Sequence, residues 1–222
     1  MKKTNKTSTN NTTELVFILD ASGSMSGFES DTIGGFNSML EKQKVCEGKA
    51  YVTTYIFDSS HKMLHDRIDI QEVKPLTRED YYVGGTTALY DTVGEAITHI
   101  EGIHKYARPS DVPAKTIFVI TTDGMENASR EYTNSAIRRL IKEKTDKQKW
   151  EFIFMAANID AKENAERMGI RRERAMNVHQ STAGYERQFD AMDKIMCCMR
   201  RSDDLHDIDI EKFINGLSND KK

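Results

Sequence analysis

Three short stretches of the sequence are almost entirely apolar and rich in β-branched or aromatic residues, namely 15–19 (LVFIL), 116–121 (TIFVIT) and 152–157 (FIFMAA). Strands that are apolar on both faces belong in the middle of a parallel sheet that helices cover on each side. A fourth stretch, 50–57, leads through a polar turn into the more alternating segment 62–70. This pair predicts a hairpin whose second strand is antiparallel at the edge of the sheet.

Helical spacing of apolar residues separates these strands. One predicted helix begins near Ile33 and ends near Gly48. The other predicted helices cover 87–106, 134–147, 160–168 and 181–200. Alternating strands and helices, with one antiparallel edge strand, predict a doubly wound α/β fold that carries helices on both faces of a mostly parallel sheet.

The chain has 222 residues and a mass of 25.3 kDa, which suits one domain. We assign that domain to 14–202, between polar tails at 1–13 and 203–222 that we expect to be flexible or loosely packed. The formal net charge of −3 argues against a general binder of nucleic acid or of acidic membranes. No apolar run approaches the roughly 20 residues that a membrane-spanning helix needs.

The three cysteines, Cys46, Cys197 and Cys198, form an odd set without a CxxC pair. This pattern argues against a disulfide framework and against a zinc site. We therefore expect reduced thiols that pack in helices as small hydrophobic groups. Residues 1–13 have no apolar core and so cannot act as a signal peptide, and we expect a cytoplasmic protein.

Oxygen-bearing side chains cluster at the ends of the predicted central strands. Asp20, Ser22 and Ser24 follow the first buried strand, Asp123 follows the second, and Thr86 stands in a Gly-Gly-Thr-Thr sequence before a helix. An open α/β sheet binds ligands at this edge, and a set of hard oxygen ligands suits Mg²⁺, Mn²⁺ or Ca²⁺. Taken singly, each segment could instead be a helix cap or a turn.

The order of these residues resembles the metal-ion-dependent adhesion site of von Willebrand factor type A domains, most closely the small intracellular bacterial type. The separations are 62 residues from Ser24 to Thr86 and 37 from Thr86 to Asp123. The resemblance implies a six-stranded sheet, a bound Mg²⁺ and a role in binding another protein. It also implies a set of metal ligands, which would be Asp20, Ser22, Ser24, Thr86 and Asp123.

Two carboxylates and three neutral hydroxyls roughly neutralise a divalent cation and leave a coordination position free. We therefore expect a non-enzymatic module that binds an Asp or Glu carboxylate of a protein partner, and neither nucleic acid nor a membrane. The alternative is a Mg²⁺-dependent hydrolase on a similar α/β scaffold, with Glu126 or Asp160 as its base. Both residues, however, suit plain solvated or capping roles, and Asn158 is equally ambiguous.

Overall fold

The computed structural model describes residues 11–202, 205, 208–210, 212 and 213. The strands are β1 (Thr13–Asp20), β2 (Ala50–Phe57), β3 (His61–Asp69), β4 (Lys115–Thr122), β5 (Glu151–Ala157) and β6 (Ala175–Val178). The helices are α1 (Glu29–Lys44), α2 (Leu89–Tyr106), α3 (Asn134–Glu143), α4 (Ala161–Met168) and α5 (Thr182–Arg201). A short π-helical turn, Lys144–Gln148, continues α3.

The six strands form one sheet in the order β3-β2-β1-β4-β5-β6. All neighbouring pairs are parallel except β2 and β3, which are antiparallel, so the predicted α/β fold with its antiparallel edge strand is confirmed. Along the chain, the strands first run from β1 in the centre to β3 at one edge of the sheet. They then run from β4 in the centre to β6 at the other edge. The strand order therefore reverses between β1 and β4, which lie side by side in the centre of the sheet.

Alternate residues of β1 enter different hydrophobic cores. Leu15, Phe17 and Leu19 pack with side chains of α1 and α5 on one face. Val16 and Ile18 pack with side chains of α2, α3 and α4 on the other face. All five side chains are buried, and this explains why the strand is apolar at every position instead of alternating.

The expectation of three reduced cysteines is wrong for two of them. Cys46, two residues after the end of α1, forms a disulfide with Cys197 in α5, with 6.0 Å between the Cα atoms, and Cys198 is a free thiol. The two bonded residues are 151 positions apart in the chain, and they meet because α1 and α5 pack against the same face of the sheet. Cysteine spacing along the sequence carries no information about that packing.

The domain extends beyond the predicted boundary at residue 202. Leu205, Ile208 and Ile210 are buried in the same core as α1 and α5. The guanidinium of Arg174 donates hydrogen bonds to the carbonyl oxygens of Leu205, at 2.6 Å, and of Ile208. The expectation of a loose tail is thus wrong at these positions. Residues 203, 204, 206, 207, 211 and 214–222, and residues 1–10 of the predicted tail 1–13, lie outside the described residues.

Within the part of the chain that the structure describes, none of the helices combines the length and the apolar character needed to cross a membrane.

Candidate metal centre

Two acidic residues mark the point where the strand order reverses. Asp20 is the last residue of β1, and Asp123 follows the last residue of β4. The two strands are paired in register up to Leu19 and Thr121, so both carboxylates emerge at the same edge of the sheet. Both residues are buried, with 1% and 2% of their surface exposed. In open α/β sheets this reversal point is where ligands bind.

The carboxylate of Asp20 is held on both of its oxygens. The backbone N–H of Ser22 donates to Oδ1 at 2.7 Å, and the hydroxyl of Thr122 donates to Oδ2 at 2.6 Å. The hydroxyl of the buried Tyr81 also donates to the backbone carbonyl of Asp20. These bonds tie the end of β1 to β4 and to the loop before α2, and thereby set the direction of the carboxylate.

Two serine hydroxyls connect this loop to Asp123. The Oγ atoms of Ser22 and Ser24 are 3.1 Å apart, and the Ser24 hydroxyl donates to Asp123 Oδ1 at 2.5 Å. Asp20, Ser22, Ser24 and Asp123 thus lie in one cluster. These are four of the five ligands that the resemblance implies.

The fifth residue, Thr86, lies outside the cluster. It is exposed, its Oγ1 is 3.0 Å from Ser59 Oγ, and its backbone N–H donates to the same Oγ at 2.9 Å. The left-handed φ of +68° at Gly85 makes this close approach possible, since a β-carbon there would lie 2.4 Å from Ser59 Oγ. Thr86 is therefore engaged with the loop after β2.

The next residue, Thr87, is buried beside the loop that carries Asp123. It is 3% exposed, and a β-carbon built on Gly124 would lie 3.3 Å from both Thr87 Oγ1 and Ser24 Oγ. Its backbone is fixed by Asn127, whose Oδ1 accepts from Thr87 N at 2.8 Å and whose N donates to Thr87 O at 3.1 Å. The expectation that Thr87 begins the helix is wrong, because α2 begins at Leu89 and has no side-chain cap.

Burial makes the two carboxylates difficult to ionise together. Desolvation raises the pKa of Asp20 above its usual range, against the hydrogen bonds from Thr122 and Ser22. Desolvation also raises the pKa of Asp123 to about 6, and the neighbouring Asp20 carboxylate contributes in the same direction. Among the described residues, no cationic side chain counters either charge.

The chemistry of the cluster fits a hard divalent cation. Its side chains offer carboxylate and hydroxyl oxygens, which Mg²⁺, Mn²⁺ and Ca²⁺ prefer. Across the described ranges, no group of three or more His, Cys, Asp or Glu side chains could hold a metal, so a zinc-type cluster is not formed there. The two buried carboxylates without a cationic neighbour are the features that a divalent cation would compensate.

Glu126 and Asp160 have structural roles. Glu126 accepts hydrogen bonds from Ser129 N at 2.7 Å, Ala128 N at 2.9 Å and Tyr90 N at 2.9 Å, which joins the loop after β4 to the start of α2. Asp160 is the N-cap of α4 and accepts from Glu163 N at 2.9 Å. The capping interpretation is confirmed for Asp160, whereas Glu126 holds the loop after β4 instead of capping a helix.

Gln180 is a further neighbour of the cluster that was not predicted from the sequence. Its Nε2 lies within 3.2 Å of Asp123 Oδ2 and donates to it, and Asn158 Nδ2 donates to its Oε1 at 2.7 Å. The loop between β6 and α5 is thereby brought to the reversal point. No local pattern marks Gln180, because it meets Asp123 only through the order of the strands.

No protein-family model and no curated protein matches the chain. Solved structures do resemble it. Proximal thread matrix protein 1 from the mussel byssus superposes with a TM-score of 0.55 at 13% identity, over 84% of this chain and 46% of that one. A von Willebrand factor type A structure from Catenulispora acidiphila gives a TM-score of 0.53 at 12% identity, over 82% and 42%.

The ArnB paralog VWA2 from Sulfolobus acidocaldarius gives a TM-score of 0.51 at 14% identity, over 83% of this chain and 45% of that one. The present chain thus spans less than half the length of each of these similar chains. The strand order, the antiparallel edge strand and these superpositions agree. The chain has the fold of a von Willebrand factor type A domain.

Proposed function

We propose that this domain binds a protein partner through a divalent cation of the Mg²⁺ type. The proposal rests on one observation, the cluster of buried oxygen ligands at the reversal point of the sheet. The residues that would hold the cation are Asp20, Ser22, Ser24, Thr87 and Asp123. Thr87 replaces Thr86 in this set because its hydroxyl lies beside Gly124 and Ser24, whereas Thr86 is bonded to Ser59.

The charge of the cluster favours an anionic ligand from outside the chain. Two carboxylates balance the charge of one divalent cation and leave no excess negative charge to repel a further anion. Five side chains also occupy fewer than the six oxygen positions that Mg²⁺ requires. A bound cation would supply an electrophilic position for one more oxygen, and an Asp or Glu side chain of the partner provides such an oxygen.

The chain's own residues prepare this site before the partner arrives. The bonds from Ser22 N and Thr122 Oγ1 hold the Asp20 carboxylate, and the Ser24 hydroxyl holds Asp123. Gln180 approaches Asp123 from the side of α5. Each of these residues lies on a loop or strand end anchored in the central sheet, so binding requires little ordering of side chains.

The hydrolase alternative lacks an available base at this site. Glu126 accepts three backbone N–H groups, and Asp160 caps α4, so both carboxylates are occupied in holding loops and a helix end. A general base must be able to reach the proton that it removes. The arrangement therefore favours binding without turnover.

Affinity capture with the full chain tests the proposal. We expect a partner to be retained in Mg²⁺ and lost in chelator, and to be lost from the Asp123→Asn variant even in Mg²⁺. Asp160→Asn is the matched control, because asparagine also caps helices and the residue lies outside the cluster. An alanine scan of the partner should then locate one acidic residue that dominates the affinity. A partner that binds equally well in chelator would contradict the proposal.

A further inference from the structure

A surface cavity of about 540 Å³ includes one half of the disulfide among its lining residues. The lining contains the disulfide-bonded Cys197, the free thiol of Cys198, and the basic side chains of Lys194 and Arg201. Residues three and four positions apart lie on the same side of a helix, which explains why these four residues of α5 meet in one cavity. Both cysteines therefore lie between two cationic residues on one side of α5.

The two halves of the disulfide differ in their access to solvent. Cys46 is buried, with 9% of its surface exposed, whereas Cys197 is half-buried and lines the cavity. A thiolate breaks a disulfide by attacking one of its sulfur atoms, and access decides which of the two is attacked. A thiol that enters the cavity would therefore attack Cys197 Sγ, and Cys46 would be the leaving group.

The charges that line the cavity favour a thiol that is itself anionic. Lys194 and Arg201 are both exposed, and they carry the positive charges of the lining. The acidic lining residue is Asp193, whose Oδ1 accepts from Gln43 Nε2 at 2.7 Å, so its carboxylate is engaged with α1. Among the lining residues that the structure describes, two positive charges thus stand against one negative charge.

Hydrogen bonds also join the end of α1 to α5, independently of the disulfide. The buried guanidinium of Arg200 donates from Nη1 to Gln43 O at 2.6 Å and from Nη2 to Gly48 O at 2.7 Å. Cys46 lies between Gln43 and Gly48 in the chain, so these bonds hold its backbone against α5 whether or not the sulfur atoms are joined. After reduction, Cys46 and Cys197 would remain neighbours, and the bond between them could form again.

We propose that Cys46 and Cys197 are a reversible redox pair that exchanges with a small anionic thiol in this cavity. The thiol is one that carries a carboxylate or a sulfonate, which Lys194 and Arg201 attract. Cys197 is the residue that forms the mixed disulfide with it. This inference does not depend on the candidate metal centre, which lies at the carboxyl ends of the central strands.

The exchange has two steps. In the first, the small thiolate attacks Cys197 Sγ, the bond between the two protein sulfurs breaks, and Cys46 leaves as a thiolate. In the second, another small thiolate attacks the sulfur of the bound molecule, which forms the symmetrical disulfide of the small thiol and releases Cys197. Two electrons and two protons thereby pass from the two small thiols to the protein disulfide. The same steps in reverse form the protein disulfide again.

Reduction by two small thiols tests the inference on the full, oxidised chain carrying Cys198→Ser, in which the thiols released come from the disulfide alone. The probes are mercaptoethanesulfonate, which is anionic, and mercaptoethanol, which is neutral. Alkylation and mass spectrometry give each rate, which is divided by the rate of the same thiol with a small neutral disulfide. At low ionic strength we expect the anionic thiol to be favoured by about fivefold or more, and the preference should shrink at high salt.

Removal of the two basic side chains should remove the preference. We expect Lys194→Gln combined with Arg201→Gln to give equal normalised rates for the two thiols. Arg139→Gln combined with Lys142→Gln is the matched control, because it removes the same charges from exposed positions on α3, on the other face of the sheet. A preference that survives in the cavity variant, or equal rates in the unaltered cavity, would overturn the role of the cavity.

The reduced chain supplies the second measurement. We expect its far-ultraviolet circular dichroism to match that of the oxidised chain, and the symmetrical disulfide of mercaptoethanesulfonate should restore the bond. Peptide mapping during the reaction should place the mixed disulfide on Cys197. Unfolding on reduction, failure to form the bond again, or an adduct on Cys46 instead would each contradict a reversible pair that exchanges at Cys197.

Discussion

The hydroxyls of Ser24 and Thr87 flank Gly124, each 3.3 Å from the position that a β-carbon on this glycine would occupy. The two residues come from different loops, one following β1 and the other preceding α2. Of the two threonines in the Gly-Gly-Thr-Thr sequence, the second thus lies beside Gly124, whereas the hydroxyl of the first is 3.0 Å from Ser59 Oγ. The approach of Ser24 and Thr87 also ties the conformation of both loops to the presence of glycine at position 124.

The two threonines should therefore respond differently to the loss of a hydroxyl. We expect Thr87→Val to weaken Mg²⁺ or Mn²⁺ binding by about tenfold or more, because it removes one oxygen from the cluster at nearly constant volume. Thr86→Val should leave the metal affinity unchanged, since its hydroxyl is engaged with Ser59. Isothermal titration calorimetry of both variants makes the comparison. The reverse pattern would return the ligand role to Thr86.

Metal should stabilise the fold, and the response should depend on Asp123. A ligand that binds only the folded state raises the free energy of unfolding by about 2.7 kcal/mol at a concentration one hundred times its dissociation constant. Asp123→Asn should abolish this increase in the melting temperature. In metal-free buffer the same variant should raise the free energy of unfolding by roughly 1–3 kcal/mol, because one of two buried like charges is removed.

Differential scanning calorimetry with and without Mg²⁺ measures both effects. Asp160→Asn should keep the wild-type response, since this residue caps α4 away from the cluster. An Asp123→Asn variant that melts higher in Mg²⁺ to the same extent as the wild type would remove Asp123 from the set of ligands.

The disulfide between Cys46 and Cys197 should be detectable by thiol labelling and by its effect on the free energy of unfolding. The denatured, unreduced chain should show one reactive thiol, that of Cys198, and all three cysteines should react after reduction. Cys46→Ser should lower the free energy of unfolding by about 2–5 kcal/mol, because the bond restricts the unfolded chain. Cys198→Ser is the control and should change little. Three reactive thiols before reduction would contradict the bond.

Arg174 should hold the segment after α5 onto the domain. Its Nε donates to Glu151 Oε2 at 2.8 Å, and its terminal nitrogens donate to the carbonyls of Leu205 and Ile208. We expect Arg174→Leu to lower the free energy of unfolding by roughly 3–5 kcal/mol, because it leaves buried polar groups without this partner.

Arg174→Leu should also make the segment beyond residue 202 easier to cleave. Limited proteolysis measures this as a faster rate of cleavage there. Arg172→Leu is a suitable control, since Arg172 pairs at the surface with Glu166. Equal cleavage rates in Arg174→Leu and the wild type would show that the segment is held by other contacts.

The architecture could be predicted from the sequence because its central strands are apolar on both faces. Stretches 15–19, 116–121 and 152–157 lie within β1, β4 and β5, and the hairpin prediction corresponds to β2 and β3. The strand β6 has only four residues, one of them exposed, and so it lacks a recognisable pattern. Its existence followed only from the family resemblance.

The site could be predicted in part, for a related reason. Asp20 and Asp123 are marked by their places after two buried strands. Two consecutive threonines, in contrast, leave the register of the loop open, because sequence spacing does not show which side chain turns inward. The bond to Ser59 settles this for Thr86. The contacts of Gln180 and the pairing of Cys46 depend on elements that are distant in sequence.

The hydrogen bonds inside the cluster have a consequence for ion exchange. Thr122 and Ser22 satisfy the carboxylate of Asp20, and Ser24 satisfies an oxygen of Asp123, so these acceptors have partners that the chain itself provides. Folding would then not require the cation, unlike the folding of small zinc domains, which unfold when the ion leaves. A domain built in this way would release and regain a bound ion while folded. Its readiness to bind a partner would then follow the free concentration of that ion in its surroundings.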